Sequence, residues 1–359
     1  YTDDVINSVA EHGDAAIVVL SRIGGEGADS YFDHELGDGK NYLALNDTER
    51  EMMANIKALK DEGKINKIVV LLNSSNAIQL DFLQGNEYGV DAAMWIGGVG
   101  QTGLNAVAEI LAGQINPSGS LVDTFYYDNY STAAMQNFVK TQYTGDLSAI
   151  PEHADTYMIY QEGIYVGYKY NETRYEDFVM GTGNAGNYAY NDEVAFPFGY
   201  GLSYTSFEYS DVTVDYADQT YTVKVTVTNT GDVAGKETVQ IYVSSPYTQY
   251  DIENKVEKAS VSLVGFDKTD VLEPGQSETL TIEVDGDYVA SYDAYGAGTY
   301  IMDAGDYYFT AATDSHNATN NVLAAKGYTA ANTAGRMDTE GNASLVAVWN
   351  NPELDTTTY

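Results

Sequence analysis

The sequence contains no cysteine. That excludes disulfides, zinc–thiolate sites and thiol nucleophiles, and it leaves the compartment open. Basic residues are scarce: 17 Lys and Arg stand against 53 Asp and Glu, a formal charge of −36. A surface of that sign repels nucleic acid and anionic lipid, so neither nucleic acid nor membrane is expected as a partner. The acidic excess is scattered along the chain rather than gathered into a tail, the pattern of a solvating surface. No apolar run approaches the roughly 18 residues of a membrane-spanning helix. A signal peptide is also missing, and the chain opens on Tyr1 instead of methionine, which leads us to expect a processed product or a fragment. Export or a cell-surface position is slightly favoured over the cytoplasm.

Several chemical motifs are missing too. No Gly-x-Ser-x-Gly elbow is present, which argues against a serine hydrolase. No Asp-x-Asp-x-Asp-Gly calcium loop occurs. The four histidines, His12, His34, His153 and His316, have no metal-ligand spacing and no carboxylate constellation nearby in sequence, so each reads as a surface residue. No metal and no cofactor are expected. The run Gly97 to Gly103 follows a predicted strand and precedes a predicted helix. It lacks the lysine of a P-loop and does not match G-x-G-x-x-G, so it reads as a tight turn rather than a phosphate cradle.

What is present points to two layers of organisation. A chain of 359 residues, 44% of them hydrophobic, can bury a normal core and suggests two domains or more. Over the first two hundred residues strand and helix patterns alternate. Residues 3–12 read as a helix, with Val5, Ile6 and Val9 on one face. Residues 15–20 are an unbroken apolar run, the pattern of a strand covered on both faces. Residues 46–63 carry helix punctuation: Asn46 as cap, Glu49 three residues later, a stripe of Met52, Met53, Ile56 and Leu59, and Gly63 as stop. Strands are predicted at 67–72, 92–96 and 121–125, and helices from Leu80 and over 101–111. That alternation means βαβ units and a mostly parallel sheet. From 129 to 195 periodicity weakens, and the segment reads as irregular chain wrapped over the first domain.

Near Phe196 the pattern changes. Residues 221–229, 237–243, 280–284 and 306–311 alternate apolar and polar with period two and are separated by turn signals such as Leu272-Glu273-Pro274-Gly275. These runs indicate an antiparallel β-sandwich of about 100 residues. After Ser315 the composition turns to Asn, Ala, Thr and Gly, which resembles a linker or tail. The expected domains are therefore an α/β domain over 1–205, a β-sandwich over 206–314 and a tail over 315–359. Thirty-two tyrosines offer faces that can stack on sugar rings, yet each by itself reads first as a structural residue.

One candidate for chemistry stands out. Gly24, Gly25 and Gly27 follow the strand at 15–20 and hold Glu26 between them. Ligands of open α/β sheets sit beyond the carboxyl ends of the strands, and a carboxylate there is a candidate acid or base. A solvated loop Glu is the plainer alternative.

Ser21-Arg22-Ile23-Gly24-Gly25-Glu26-Gly27-Ala28-Asp29 resembles the Gly-Glu-Gly-Ala-Asp stretch of glycoside hydrolase family 3 β-glucosidases. The strand through Asn73-Ser74-Ser75-Asn76, the run from Gly100-Gln101 to Asn116-Pro117-Ser118-Gly119, Glu162-Gly163-Ile164-Tyr165-Val166-Gly167-Tyr168, and Phe196-Pro197-Phe198-Gly199-Tyr200-Gly201-Leu202-Ser203-Tyr204 resemble further motifs of that family. Val227-Thr228-Asn229-Thr230-Gly231 and Leu263-Val264-Gly265-Phe266 are similar to its fibronectin type III-like domain. Departures are Thr102 where the family has Glu and Ser120 where it has Arg. The first strand region of the α/β domain and the β/α barrel have no counterpart.

The resemblance implies part of a retaining β-glycosidase that removes terminal β-linked sugars from oligosaccharides or glycosides. It implies Glu26 as general acid/base and an Asp nucleophile on a barrel in the same protein or a second chain. It also implies that this chain alone is inactive. The family often forms dimers, so a homodimer is among the expected partners. The residues that contact the sugar cannot be assigned from this chain. The competing reading is a non-catalytic carbohydrate- or protein-binding module derived from such an enzyme.

Overall fold

The computed structural model describes residues 2–25, 41–138, 141–144, 146, 148–149, 151 and 156–359. The chain divides into two compact units, Tyr1–Ala108, Phe125–Glu162 and Asn191–Phe196 forming the first and Glu109–Thr124, Gly163–Tyr190 and Pro197–Tyr359 the second.

In the first unit α1 (Asp3–Glu11) leads into β1 (Ala16–Ser21), and α2 (Asp47–Asp61) into β2 (Ile68–Asn73), followed by β3 (Ala92–Trp95). The three strands form a parallel sheet in the order β1-β2-β3, with Ala16 opposite Ile68 and Val69 opposite Ala92. Helix α2 starts where its punctuation places it. The Asn46 side chain accepts from Glu49 N at 2.9 Å, and Glu49 Oε2 accepts from Asn46 N at 2.9 Å. Met53 and Leu59 are buried, and Gly63 follows at φ +73°, where glycine bears no side-chain penalty. Strand β2 is central and buries Ile68, Val70, Leu71 and Leu72, each contributing on the order of 1.5–3 kcal/mol relative to exposure.

Strand β1 departs from expectation. Val18 and Leu20 are buried, but Ile17 and Val19 are each 53% exposed, so among the described residues one face of this edge strand is open. A β-branched run reports strand propensity, not how many faces are covered. The strand expected over 121–125 is also corrected. Only Phe125–Tyr126 is extended, and it pairs antiparallel with Val194–Phe196. In the second unit Leu121 N instead bonds Tyr200 O and Gly199 N bonds Leu121 O, both at 2.8 Å. The glycine run at 97–103 forms the turn into α3 (Leu104–Leu111). Gly97 and Gly100 take φ +55° and +63°, and a Cβ on Gly103 would collide with the Val99 carbonyl.

The second unit contains a helix that the sequence reading missed. Within the stretch taken as irregular chain over the first domain, α4 (Tyr168–Met180) buries Asn171, Glu172, Tyr175 and Val179 and belongs to the second unit. Its buried face is largely polar and aromatic, so it carries no apolar period to read. The sandwich follows as β4 (Phe207–Ala217), β5 (Thr220–Asn229), β6 (Thr238–Ser244), α5 (Gln249–Asn254), β7 (Ser262–Lys268), β8 (Ser277–Asp285), the hairpin β9 (Ser291–Asp293) and β10 (Thr299–Ile301), and β11 (Gly305–Ala312). One sheet has the order β8-β5-β4; the other is β7-β6-β11 with one more strand, described next. Val223, Val225 and Val227 of β5, Val239 and Ile241 of β6, and Phe309 and Ala311 of β11 are fully buried in one core, as their period-two spacing requires. At the end of β5, Asn229 organises the following turn. Its Nδ2 donates to the carbonyls of Val233 and Leu272, and its Oδ1 accepts from Thr205 Oγ1 and Gly231 N.

Residues 315–359, expected to be a linker or tail, are ordered parts of this unit. Helix α6 (Ser315–Ala325), capped by Asp314, buries Ala318, Val322 and Leu323. Strand β12 (Val346–Asn351) pairs with β11 and completes the second sheet. The Asn- and Thr-rich composition that suggested a linker is explained by side-chain bonds. Asn320 Oδ1 lies 2.9 Å from Tyr175 OH, Asn321 Oδ1 accepts from Asn342 N, and Thr319 Oγ1 donates to Ser315 O.

Candidate functional site

The carboxyl ends of the three parallel strands are Ser21, Asn73 and Trp95. Parallel register brings them together, and each strand passes into polar chain there. Trp95 Nε1 donates to Ser74 O at 2.7 Å, which ties β3 to the loop after β2. Arg22 follows β1 directly and continues the ladder, its N bonding Asn73 O at 3.2 Å.

The Arg22 side chain is 6% exposed and reaches across to α2. Its guanidinium makes a two-pronged pair with Glu49: Nη1 to Oε1 at 2.8 Å and Nη2 to Oε2 at 2.7 Å. Nε donates to Tyr42 O at 2.5 Å, Nη2 to Ala44 O at 2.6 Å and Nη1 to Ser21 O at 2.8 Å. Ile23 N donates to Tyr42 OH at 3.0 Å. Residues 22–23 and 42–44 flank the segment that carries Glu26, and these bonds clamp its two roots. Glu49 does two things at once, closing the cap of α2 and receiving the arginine fork. A planar fork fits a carboxylate in one geometry only, so the pair sets direction as well as distance.

Glu26 itself, the predicted acid/base, lies outside the described residues, as do His34 and His153. His12 is exposed after α1. His316 is not the surface residue expected. It is held between two carboxylates of the second unit, Nδ1 lying 3.1 Å from Glu172 Oε2 and Nε2 3.1 Å from Asp338 Oδ1, with 12% of its side chain exposed. Its ring stacks on Tyr190 at 3.7 Å. Tyr190 OH and Ser315 Oγ donate to Glu172 Oε1 at 2.6 and 3.1 Å, and Tyr175 OH donates to Asp338 Oδ1 at 2.7 Å. Burial alone would lower the imidazole pKa, but Glu172 and Asp338 more than offset it and raise it to about 10. The ring is therefore an imidazolium at neutral pH, a structural clamp. Among the described residues no group of three His, Asp or Glu is arranged to hold a metal ion.

Arg22 stands within the motif that resembles family 3, and the motif by itself assigns it no role. A usable signal existed. In a chain with 17 basic residues, an arginine at a strand's carboxyl end beside a Gly-Glu-Gly loop calls for a partner.

Residues 2–168 match the glycosyl hydrolase family 3 C-terminal domain, and residues 237–315 match a fibronectin type III-like domain. The chain carries the C-terminal domains of a family 3 glycosyl hydrolase. It is 34% identical over 320 residues to a β-glucosidase of Ruminococcus albus, covering 88% of this chain and 29% of that protein. It is 30% identical over 349 residues to β-glucosidase A of Butyrivibrio fibrisolvens, covering 86% and 36%. Its fold is similar to that of β-glucosidase 3B from Thermotoga neapolitana, in a structure with α-D-glucose, with a TM-score of 0.70, 28% identity, and 99% of this chain against 40% of that one. The chain thus spans about a third of the curated relatives it matches. The expected fold class, a parallel-sheet α/β domain followed by an antiparallel fibronectin-like sandwich, holds for this family 3 chain. No β/α barrel occurs among its described residues.

Proposed function

We propose that this chain is part of a retaining β-glycosidase of the β-glucosidase kind, in which Glu26 serves as general acid/base opposite an Asp nucleophile on a β/α barrel. The observation that carries the reading is the family 3 match over residues 2–168, within which the Gly-Glu-Gly motif follows β1. The Arg22–Glu49 clamp at the roots of that segment supports it, because an acid/base presented from a loop needs a fixed base to reach a neighbouring domain.

Retaining hydrolysis uses two carboxyl groups about 5 Å apart. The nucleophile attacks the anomeric carbon while Glu26 gives its proton to the departing glycosidic oxygen. Glu26 then takes a proton from water as that water attacks the glycosyl-enzyme. A proton donor at neutral pH needs a raised pKa, which a neighbouring carboxylate and exclusion of water supply. By itself this chain is proposed to be inactive, with turnover requiring the barrel.

The test is Glu26→Gln in the complete protein. Turnover of an alkyl β-glucoside, whose leaving group needs protonation, should fall on the order of 100-fold or more. Attack on a dinitrophenyl glycoside, whose leaving group needs none, should persist, and added azide should restore the second step. Equal activity of variant and wild type on the alkyl glycoside refutes the assignment. Full activity of this chain alone refutes the need for a barrel.

A further inference from the structure

The hairpin β9–β10 in the second unit places three tyrosines in solvent. Tyr292 and Tyr300 are register partners across it, their rings edge to face at 68° with centroids 5.1 Å apart, and are 54% and 49% exposed; Tyr295 at the tip is 75% exposed. Exposed rings gathered on one hairpin mark a candidate contact surface.

These rings sit on a rigid support. Asp293 is fully buried and organises the tip. Its Oδ1 accepts from Tyr295 N and Gly296 N at 3.1 and 2.7 Å, and its Oδ2 from Ala297 N at 2.6 Å. From α5, Tyr250 OH donates to Asp293 Oδ2 at 2.7 Å. A Cβ at Gly296 would meet Asp293 Oδ2 at 2.5 Å and Asn254 Oδ1 at 2.6 Å, so a larger residue there would push on the carboxylate that holds the tip. Lys255 Nζ stands 5.7 Å from the centroid of the Tyr295 ring. Burial would raise the Asp293 carboxyl, but these donors more than offset it and hold it at about 2, so the support stays ionised and bonded at any physiological pH.

We infer that the Tyr292–Tyr295–Tyr300 hairpin is a binding platform for a neutral polysaccharide of pyranose rings. Three features select this ligand. A tyrosine offers an apolar face with a hydroxyl at its rim, matching a sugar whose C–H face is apolar and whose edge is hydroxylated. The aliphatic side chains nearest in sequence, Val289 and Ile301, are buried, so the patch is separate rings rather than the continuous apolar surface at the core of a protein interface. The formal charge of −36 disfavours sulfated, phosphorylated or uronic acid polymers. The choice of a glycan rests partly on the proposed action on β-glycosides, so the test reads binding without turnover.

The test is affinity electrophoresis of the full chain in native gels containing mixed-linkage β-glucan or xylan. Wild type should be retarded by at least one polymer. The triple variant Tyr292→Ala, Tyr295→Ala, Tyr300→Ala should lose affinity about tenfold or more, as expected when aromatic anchors are removed. Its melting temperature should hold, because the rings are exposed. If the triple variant does not fold, Tyr295→Ser, at the most exposed ring, should lower affinity by itself, and Tyr295→Trp should keep it. Wild type unretarded by both polymers, or retardation unchanged in the folded variants, overturns the inference. So does a wild-type dimer that the variants convert to monomer without any glycan binding, because the rings would then serve a second copy of the chain. Loss of polymer binding with Glu26→Gln kinetics as proposed, or the reverse, separates this inference from the hydrolytic one.

Discussion

Replacing Arg22 by alanine should destabilise the first unit by about 3 kcal/mol. The side chain donates five hydrogen bonds, two to the Glu49 carboxylate and three to backbone carbonyls of Ser21, Tyr42 and Ala44. Breaking a buried ion pair by removing one partner costs about 3–5 kcal/mol, because the other charge is left uncompensated. Glu49 is 19% exposed and keeps its bond from Asn46 N, which places the cost at the lower end of that range. With a urea dependence of about 2–3 kcal/mol per molar, the midpoint should fall on the order of 1 M. The chain has two tryptophans, Trp95 in the first unit and Trp349 in the second. A Trp349→Phe background therefore leaves Trp95 as the sole reporter. Arg22→Lys should recover little, since an ammonium cannot reproduce the fork. A double-mutant cycle with Glu49→Ala should return a coupling of about 1–3 kcal/mol. A midpoint shift worth less than about 0.5 kcal/mol, the size of an ordinary surface substitution, would refute the clamp.

The remaining predictions concern the second unit. The His316 pKa, raised from 6.5 to about 10 by its two carboxylates, makes folding favour the protonated ring. That stabilisation is complete below pH 6.5 and is lost as pH rises towards 10, so thermal stability should decline across that window. His316→Gln should flatten the decline and lower stability at pH 7 by about 3 kcal/mol, because Glu172 is fully buried and would lose its cation; an unchanged pH profile counts against the clamp. Trp349 of β12 packs against Tyr216, Tyr221 and Tyr307 at ring centroids of 4.8, 5.1 and 5.5 Å. Trp349→Ala should cost about 3 kcal/mol and lower the melting temperature by roughly 6–12 °C. A melting temperature within a degree of wild type would mean that the last strand is dispensable.

What could be read ahead of the structure was local. The capping box at Asn46 and Glu49, the apolar runs of β1 and β2, and the period-two valines of β5 report on residues a few positions apart, and the structure places all of them in the expected elements. What could not be read depends on distant partners. Helix α4 hides its periodicity because Asn171, Glu172 and Tyr175 are buried through bonds to Tyr188, Tyr190, Ser315 and Asn320. Without those partners in view, the same residues read as loop. The end of the chain failed for the same reason, its asparagines being satisfied inside the unit rather than by water. At the candidate site, the glycines and Glu26 read as a loop after β1, and the arginine that ties together the chain on either side of that segment was legible only as a letter in a motif.

In a chain of net charge −36, a buried cation persists only where carboxylates compensate it, and the described structure has three such places. Arg22 meets Glu49, His316 lies between Glu172 and Asp338, and Lys258, 5% exposed, bonds Asp251 and Asp303. Each ties together separate parts of the fold: strand end to helix, helix to helix and loop, and, through Lys258 in the loop after α5, helix α5 to the turn before β11. Solvated acidic residues can change with little energetic effect, whereas each of these cations holds a geometry whose loss leaves a buried charge. If the scattered acidity mainly solvates the surface, neutralising several exposed carboxylates should leave the fold unmoved. Removing any one of the three cations should not, and Arg22 is the one whose removal should also disturb the presentation of Glu26.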